Sequence, residues 1–175
     1  MATSELRTAA RPTGVIVRTA RPEDSDAIAA MARGLSRQSI NLRFMGGVSL
    51  ETAVKELARE VRCGDAAAES LVAETPDGEL VGEVYSYHTA PDEVEAAFVV
   101  ADRWQHHRVG TALFRALVER LQREHVHALW CDTLVENAPM LHLLYHAGLP
   151  LTSECRDGVV HVRLALPQNS SGGNF

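Results

Sequence analysis

The side chains best equipped for chemistry fall in one stretch, Glu95-Ala-Ala-Phe-Val-Val-Ala-Asp-Arg-Trp-Gln-His-His-Arg-Val-Gly110. It opens as an apolar strand, crosses a short polar loop and enters a long amphipathic helix near Val109. A strand, a polar loop and a helix start together present backbone N–H groups to an anion. His106, His107 and Arg108 add three potentially cationic side chains in a row. The expectation is a phosphate-bearing cofactor on this loop, with Glu95 upstream as a candidate general base. The neighbours of Glu95 are apolar (Val94, Ala96, Ala97, Phe98), so loss of water would raise its pKa toward the working pH. Spacing alone leaves a plainer reading open, in which Gln105 to Arg108 is a solvated helix entry and Glu95 a strand-edge carboxylate. The G-x-G-x-x-G fingerprint and the Walker lysine pattern are both absent.

Other reactive residue types read as structural. His125 and His127 straddle a helix end with no carboxylate cluster beside them. His142 and His146 are four apart on one helical face, but no third ligand is evident, so no metal is expected. Cys131 falls mid-strand and reads as a core thiol. Cys63, Cys131 and Cys155 are odd in number and widely spaced, which suits free thiols in a reducing compartment. The cytoplasm is therefore the expected location.

These residues must be carried by a particular order of elements. Val15 to Val17 starts a strand, and Arg21-Pro22-Glu23-Asp24 opens a helix that continues through Ile28, Met31, Ala32 and Leu35. Ser36 caps a second helix running to Arg43 and closed by Gly46-Gly47. Ser49 caps a third, stopped by Gly64. Three strands follow at 70–75, 80–88 and 94–101, joined by Pro76-Asp77-Gly78 and Pro91-Asp92 as an antiparallel meander. Val109, Ala112, Leu113, Ala116, Leu117 and Leu121 form the apolar stripe of the long helix. The strand at 128–134 then requires a parallel crossover. Asn137 to Ala147 is a short helix, and strands at 151–155 and 159–166 close a hairpin.

At 175 residues and 46% hydrophobic content the chain is long enough to bury a core in one domain. Residues 1–14 read as a flexible arm, 15–166 as the domain and 167–175 as a flexible tail. A formal net charge of −6 argues against a nucleic-acid partner. No apolar run reaches bilayer length, so no membrane partner is expected.

Trp104-Gln105-x-x-Arg108-x-Gly110-Thr111-Ala112-Leu113, set within this element order, resembles the GCN5-related N-acetyltransferase family. The family's phosphate loop is Gln/Arg-x-x-Gly-x-Gly/Ala, which Gln105 and Gly110 match. Glu136-Asn137-x-x-Met140-Leu141, with Gly148 beyond it, looks like the family's later motif. Ser36-Arg-Gln-Ser39-Ile-Asn-Leu42-Arg43-Phe44 looks like a segment of bacterial protein lysine acetyltransferases. The resemblance covers residues 15–166. It implies an α/β fold, a mixed and mostly antiparallel sheet flanked by helices and splayed between its fourth and fifth strands. It also implies acetyl-CoA as co-substrate and a primary amine as acceptor, a protein lysine being preferred, in a monomer or homodimer.

By this resemblance Glu95 is the base, with Glu83 in reserve. Backbone groups of Phe98, Val99 and Val100 would pair with pantetheine. Gln105 and the amides from His106, His107, Arg108, Val109, Gly110 and Thr111 would hold the pyrophosphate, and Asn137 would contact coenzyme A. Two departures stand out. Arg108 occupies the first loop glycine, where its bulk could block phosphate or its charge bind it. Leu144 occupies the position of a frequent tyrosine acid, and Tyr145 is about 100° away around the helix. Two further readings therefore stay open: a degenerate domain that binds acyl-CoA or a protein without transfer, and a small-molecule amine acetyltransferase.

Overall fold

A computed structural model describes residues 14–62 and 67–168. Most of the expected arm and of the expected tail, Cys63 and Gly64 lie outside the described residues. β1 (Ile16–Thr19) leads through a 3-10 turn (Pro22–Asp24) into α1 (Ser25–Arg33), α2 (Arg37–Phe44) and α3 (Leu50–Glu60). The meander is β2 (Ala68–Glu74), β3 (Leu80–Ala90) and β4 (Glu93–Val100). A second 3-10 turn (Asp102–Trp104) precedes α4 (Val109–Arg123), then β5 (Ala128–Leu134) and α5 (Ala138–Tyr145). β6 (Leu151–Arg156) and β7 (Val159–Ala165) form the closing hairpin.

The strands make one sheet in the order β1-β2-β3-β4-β5-β7-β6. Every neighbouring pair is antiparallel except β4 and β5, which α4 joins by a crossover and which run parallel. That parallel pairing is short. It links Glu93–Glu95 to Ala128–Trp130 and no further. Beyond it the strands part, while β4 stays paired to β3 as far as Val100. The mixed sheet, its splay and its helices on both faces agree with the expectation.

Local sequence explains the helix ends. The Ser36, Ser49 and Asn137 side chains each accept from the backbone N–H three residues on, at 3.1, 3.1 and 3.2 Å. α2 ends differently from expectation: Met45, at φ 51°, supplies the left-handed turn one residue before Gly46. Leu113, Leu117, Leu129, Leu144 and Leu164 build the core beneath α4 and α5, and Ile28, Leu57 and Val72 the core beneath α1 and α3. Gly82 lets α4 sit close on β3. A Cβ there would stand 3.0 Å from Val109 Cγ1 and 3.1 Å from Leu113 Cδ1.

The second core contains buried polar groups. Arg43 donates from one nitrogen to both carboxylate oxygens of Glu60, at 2.9 and 2.8 Å. Glu83 on β3 is 1% exposed, and one of its oxygens accepts from the Ser70 hydroxyl at 2.7 Å. Burial, and then the negative charge of Glu60, pushes the Glu83 carboxyl up to about 8, against the pull of Ser70 and Arg43. Its folded-state pKa is thus above the unfolded value of about 4.5. Between those limits the native state binds the extra proton, so stability falls as pH rises. Denaturant titrations from pH 5 to pH 8 should show wild type losing on the order of 2–4 kcal/mol relative to Glu83→Gln. Parallel stability curves for the two proteins would refute this.

Candidate functional site

The parting of β4 from β5 opens a cleft of about 550 Å³. Phe98, Val99 and Val100 line it from β4, and Asn137 from the cap of α5. The loop and first turn of α4 contribute Gln105, His106, Arg108, Val109, Gly110 and Thr111. Sequence reasoning thus named residues that the fold brings to one place. His107 and Glu95 are the exceptions, and His107 is turned away. Its ring packs edge-on against Trp104 with centroids 5.9 Å apart, its Nδ1 donates to the Gln105 carbonyl at 2.7 Å, and it does not line the cleft.

The loop presents unpaired donors. Ala112 N–H bonds the Arg108 carbonyl at 3.0 Å, starting the helical ladder. The N–H groups of Val109, Gly110 and Thr111 precede it and have no acceptor within the helix. The Val109 side chain is buried in the core, so its backbone alone faces the cleft. Arg108 has φ 62° and His106 φ 63°. Each left-handed non-glycine residue costs roughly 1–2 kcal/mol.

A hydrogen-bonded latch holds this loop. Gln105 Nε2 donates to Ser39 Oγ at 3.0 Å and to the Val100 carbonyl at 3.3 Å. Asp102 accepts from Ser39 Oγ at 2.8 Å and from Ser36 N–H at 3.2 Å. The Gln105 amide therefore turns inward and orients the loop, and the Ser36-x-x-Ser39 spacing ties α2 to it.

The cleft wall contains Arg43, His106, Arg108, His142 and His146 and, among its described residues, no Asp or Glu. In a chain of net charge −6 this segregates basic groups into one cavity. Arg43 is engaged by Glu60, while Arg108 makes no ion pair among the described residues. The cleft is thus suited to a polyanion.

Glu95 is not part of that wall. It is half-buried at the last β4 residue paired to β5, about 10 Å along the strand from Phe98 at ~3.3 Å per residue. Tyr87 faces it across β3 and donates a hydrogen bond to its carboxylate. Burial, that bond and the charges of Glu95 and Asp132 push the Tyr87 phenol up to about 12. Asp132 in turn lies 2.9 Å from His161 Nδ1. Glu93, two residues before, is held by Trp130 Nε1 at 2.9 Å and Arg163 at 3.0 Å, which lower its carboxyl below the ordinary range. Among the described residues Glu95 has no such cation.

Glu83 is buried under α2 and α3 and lines no part of the cleft. Leu144 is fully buried in the core. Tyr145 points outward, its hydroxyl 2.8 Å from Ser153 Oγ. Burial pushes the Cys131 thiol up, away from nucleophilic thiolate. Sequence reasoning missed the second wall of the cleft, formed by Pro139, His142 and Leu143 on α5 and by His146 at its C-terminal cap. Their spacing of three and four was the available signal. Among the described residues no group of three or more His, Cys, Asp and Glu side chains is placed to hold a metal ion, and no helix is long and apolar enough to cross a membrane.

Comparison with known proteins adds to this geometry. A family model described as the acetyltransferase (GNAT) family matches residues 38–149. The chain superposes on the GNAT domain of S. lividans PAT with a TM-score of 0.73 and 24% identity, covering 86% of this chain and 89% of that one. Spermidine N-acetyltransferase from Vibrio cholerae, solved with CoA and spermine, gives 0.68 at 17% identity, covering 88% and 96%. PaiA N-acetyltransferase from Thermoplasma acidophilum, solved with coenzyme A, gives 0.69 at 15% identity, covering 87% and 99%. No curated protein matches the sequence.

Proposed function

The chain belongs to the acetyltransferase (GNAT) family, and from that membership we propose that it moves an acetyl group from acetyl-CoA to a primary amine, with a protein lysine as acceptor. The observation that carries this reading is the cleft itself, which joins unpaired N–H groups at the start of α4 to an acid-free, basic wall and a strand edge freed from pairing. Those features fit the pyrophosphate and the amide-bearing pantetheine arm of acetyl-CoA. The amides of Val109 to Thr111 would hold the phosphates. The β4 edge from Phe98 to Val100 would align the arm, and Asn137 would contact it from α5.

Acetyl-CoA supplies an acyl thioester already activated toward an amine. The work left to this chain is to position the amine and take its proton. Glu95 is the proposed acceptor of that proton, directly or through a water, because it makes no ion pair among the described residues and stands where the strands part. Its bond from Tyr87 fixes the carboxylate's orientation. No side chain is assigned to protonate the leaving thiolate. The acceptor preference rests on the likeness of Ser36 to Phe44 to bacterial protein lysine acetyltransferases. The same fold serves the Vibrio cholerae polyamine enzyme, so a small-molecule amine is the second acceptor class. The cytoplasm is the proposed location.

Calorimetric titration with acetyl-CoA, CoA and desulfo-CoA tests the reading. Saturable micromolar binding is expected for each. No binding up to millimolar ligand, in protein shown to be folded, would favour an interaction domain without transfer. Arg108→Gly belongs in the same experiment. Its left-handed strain exists with and without ligand and cancels from the dissociation constant, whereas its charge acts only on the bound phosphate. The variant should therefore gain up to about 1 kcal/mol of stability yet bind acetyl-CoA roughly 5- to 15-fold more weakly, the equivalent of ~1–1.6 kcal/mol. Tighter binding by the variant would mean that Arg108 obstructs the site. Incubation with acetyl-CoA and either native proteins, denatured proteins or spermidine then separates the acceptor classes by mass.

A further inference from the structure

The α5 wall carries two basic side chains that the reaction does not use. His142 and His146 both line the cleft, one helical turn apart. Their rings stack with centroids 4.1 Å apart at 28°. His146 Nδ1 lies 2.9 Å from the His142 carbonyl. A carbonyl can only accept, so this nitrogen carries the proton and the tautomer is fixed. Nε2 is left as the outward-facing polar atom, and a proton there makes the ring a cationic donor. Neither imidazole has a carboxylate partner among the described residues.

Their position relative to the phosphate loop gives them a ligand. Gly110 lies in the first turn of α4, and a Cβ there would lie 3.9 Å from Leu143 Cδ2 and 3.9 Å from Val100 Cγ2. The α5 segment bearing the two histidines therefore packs directly beside the anion-holding turn. Leu143 follows His142 and lies within about one turn of His146, some 5.4 Å along the axis. Asn137 marks the other end of the same helix. A ligand with its pyrophosphate on the α4 turn and its pantetheine toward Asn137 has one more anionic group to seat, the phosphate on the 3′ position of the ribose.

We propose that His142 and His146 receive the 3′-phosphate of the CoA nucleotide and make the cleft select CoA over 3′-dephospho-CoA. This rests on the acetyl-CoA reading above. It assigns the selectivity to a histidine pair on α5 rather than to the loop. The two nucleotides differ only in that phosphate, so their affinity ratio isolates its contacts.

The experiment is calorimetry on the full chain with CoA and 3′-dephospho-CoA, for wild type, His142→Asn, His146→Asn and the double variant. Wild type should prefer CoA about tenfold or more, as a charge-assisted contact would give. The double variant should bring the ratio close to one. Both residues are exposed, so the variants should keep their melting temperatures. A wild-type ratio near one, or a ratio unchanged in the double variant, would overturn the proposal. A ratio that vanishes in EDTA would assign the pair to a metal and overturn it too. Failure of both nucleotides to bind would refute the acetyl-CoA reading and this inference with it, which is distinct from binding without discrimination.

Discussion

Glu95→Gln should lower kcat by roughly 100- to 10,000-fold, the range expected when a positioned general base is removed. Glutamine keeps the length of the side chain, and its amide oxygen still accepts from the Tyr87 hydroxyl. The substitution therefore removes basicity with little change of shape. Glu95 is outside the wall of the cleft, so the dissociation constant for acetyl-CoA should change by less than about twofold, under ~0.5 kcal/mol. Initial rates at saturating acetyl-CoA, with the acceptor found by the mass assay, measure the effect. A fall in kcat without a change in nucleotide affinity is the expected signature. Wild-type turnover by this variant would remove Glu95 from the mechanism. Glu83 would not inherit the role, since its burial keeps an amine from reaching it.

Arg43→Ala should destabilise the fold by about 3–5 kcal/mol, as expected when one member of a buried ion pair is deleted. The Arg43 and Glu60 side chains are 8% and 9% exposed. Without the guanidinium the Glu60 carboxylate would remain in the core near Glu83, whose own carboxyl already feels its charge. The alanine also loses the contact of the guanidinium with the Phe44 ring, 5.1 Å from its centroid. Urea denaturation at pH 7 reads the loss. The double variant Arg43→Met, Glu60→Leu should recover most of it, because Arg43 Nε has no hydrogen-bond partner and the pair is incompletely satisfied. Equal losses in the single and double variants would show that the region depends on shape rather than on charge pairing.

Together these substitutions separate two roles that α2 and β4 combine. α2 places Ser39 on the loop latch and Arg43 both in the buried pair and at the cleft wall. β4 gives Glu95 to the proposed chemistry and its free edge to the cleft. Changes on α2 should act on stability and loop order, and changes at Glu95 on turnover.

Much of this architecture is readable from local residue order. Ser36, Ser49 and Asn137 cap helices because their side chains meet an N–H three residues on, a contact that needs no distant partner. The stripe from Val109 to Leu121 and the alternation within the strands report which faces are buried. The parallel direction of β5 follows from the helix that connects it to β4. The polar loop before Val109 is local in the same way, since it leads straight into the first turn of α4 with its free N–H groups. Distances across the sheet are another matter. Only packing ends the β4–β5 ladder at Glu95 and Trp130 and opens the cleft beyond it. Packing of α5 beside Gly110 brings His142 and His146 to the cleft wall, although they are over thirty residues from the loop in sequence. His107 leaves the row it shares with His106 and Arg108 because Trp104 and the Gln105 carbonyl hold its ring. Glu83, an ordinary carboxylate in sequence, becomes a raised, buried acid because α2 and α3 cover it. Sequence by itself determines the elements and the loop, whose causes lie within a few residues. The cleft, its second wall and the burial of each carboxylate depend on contacts between segments that only the tertiary structure brings together.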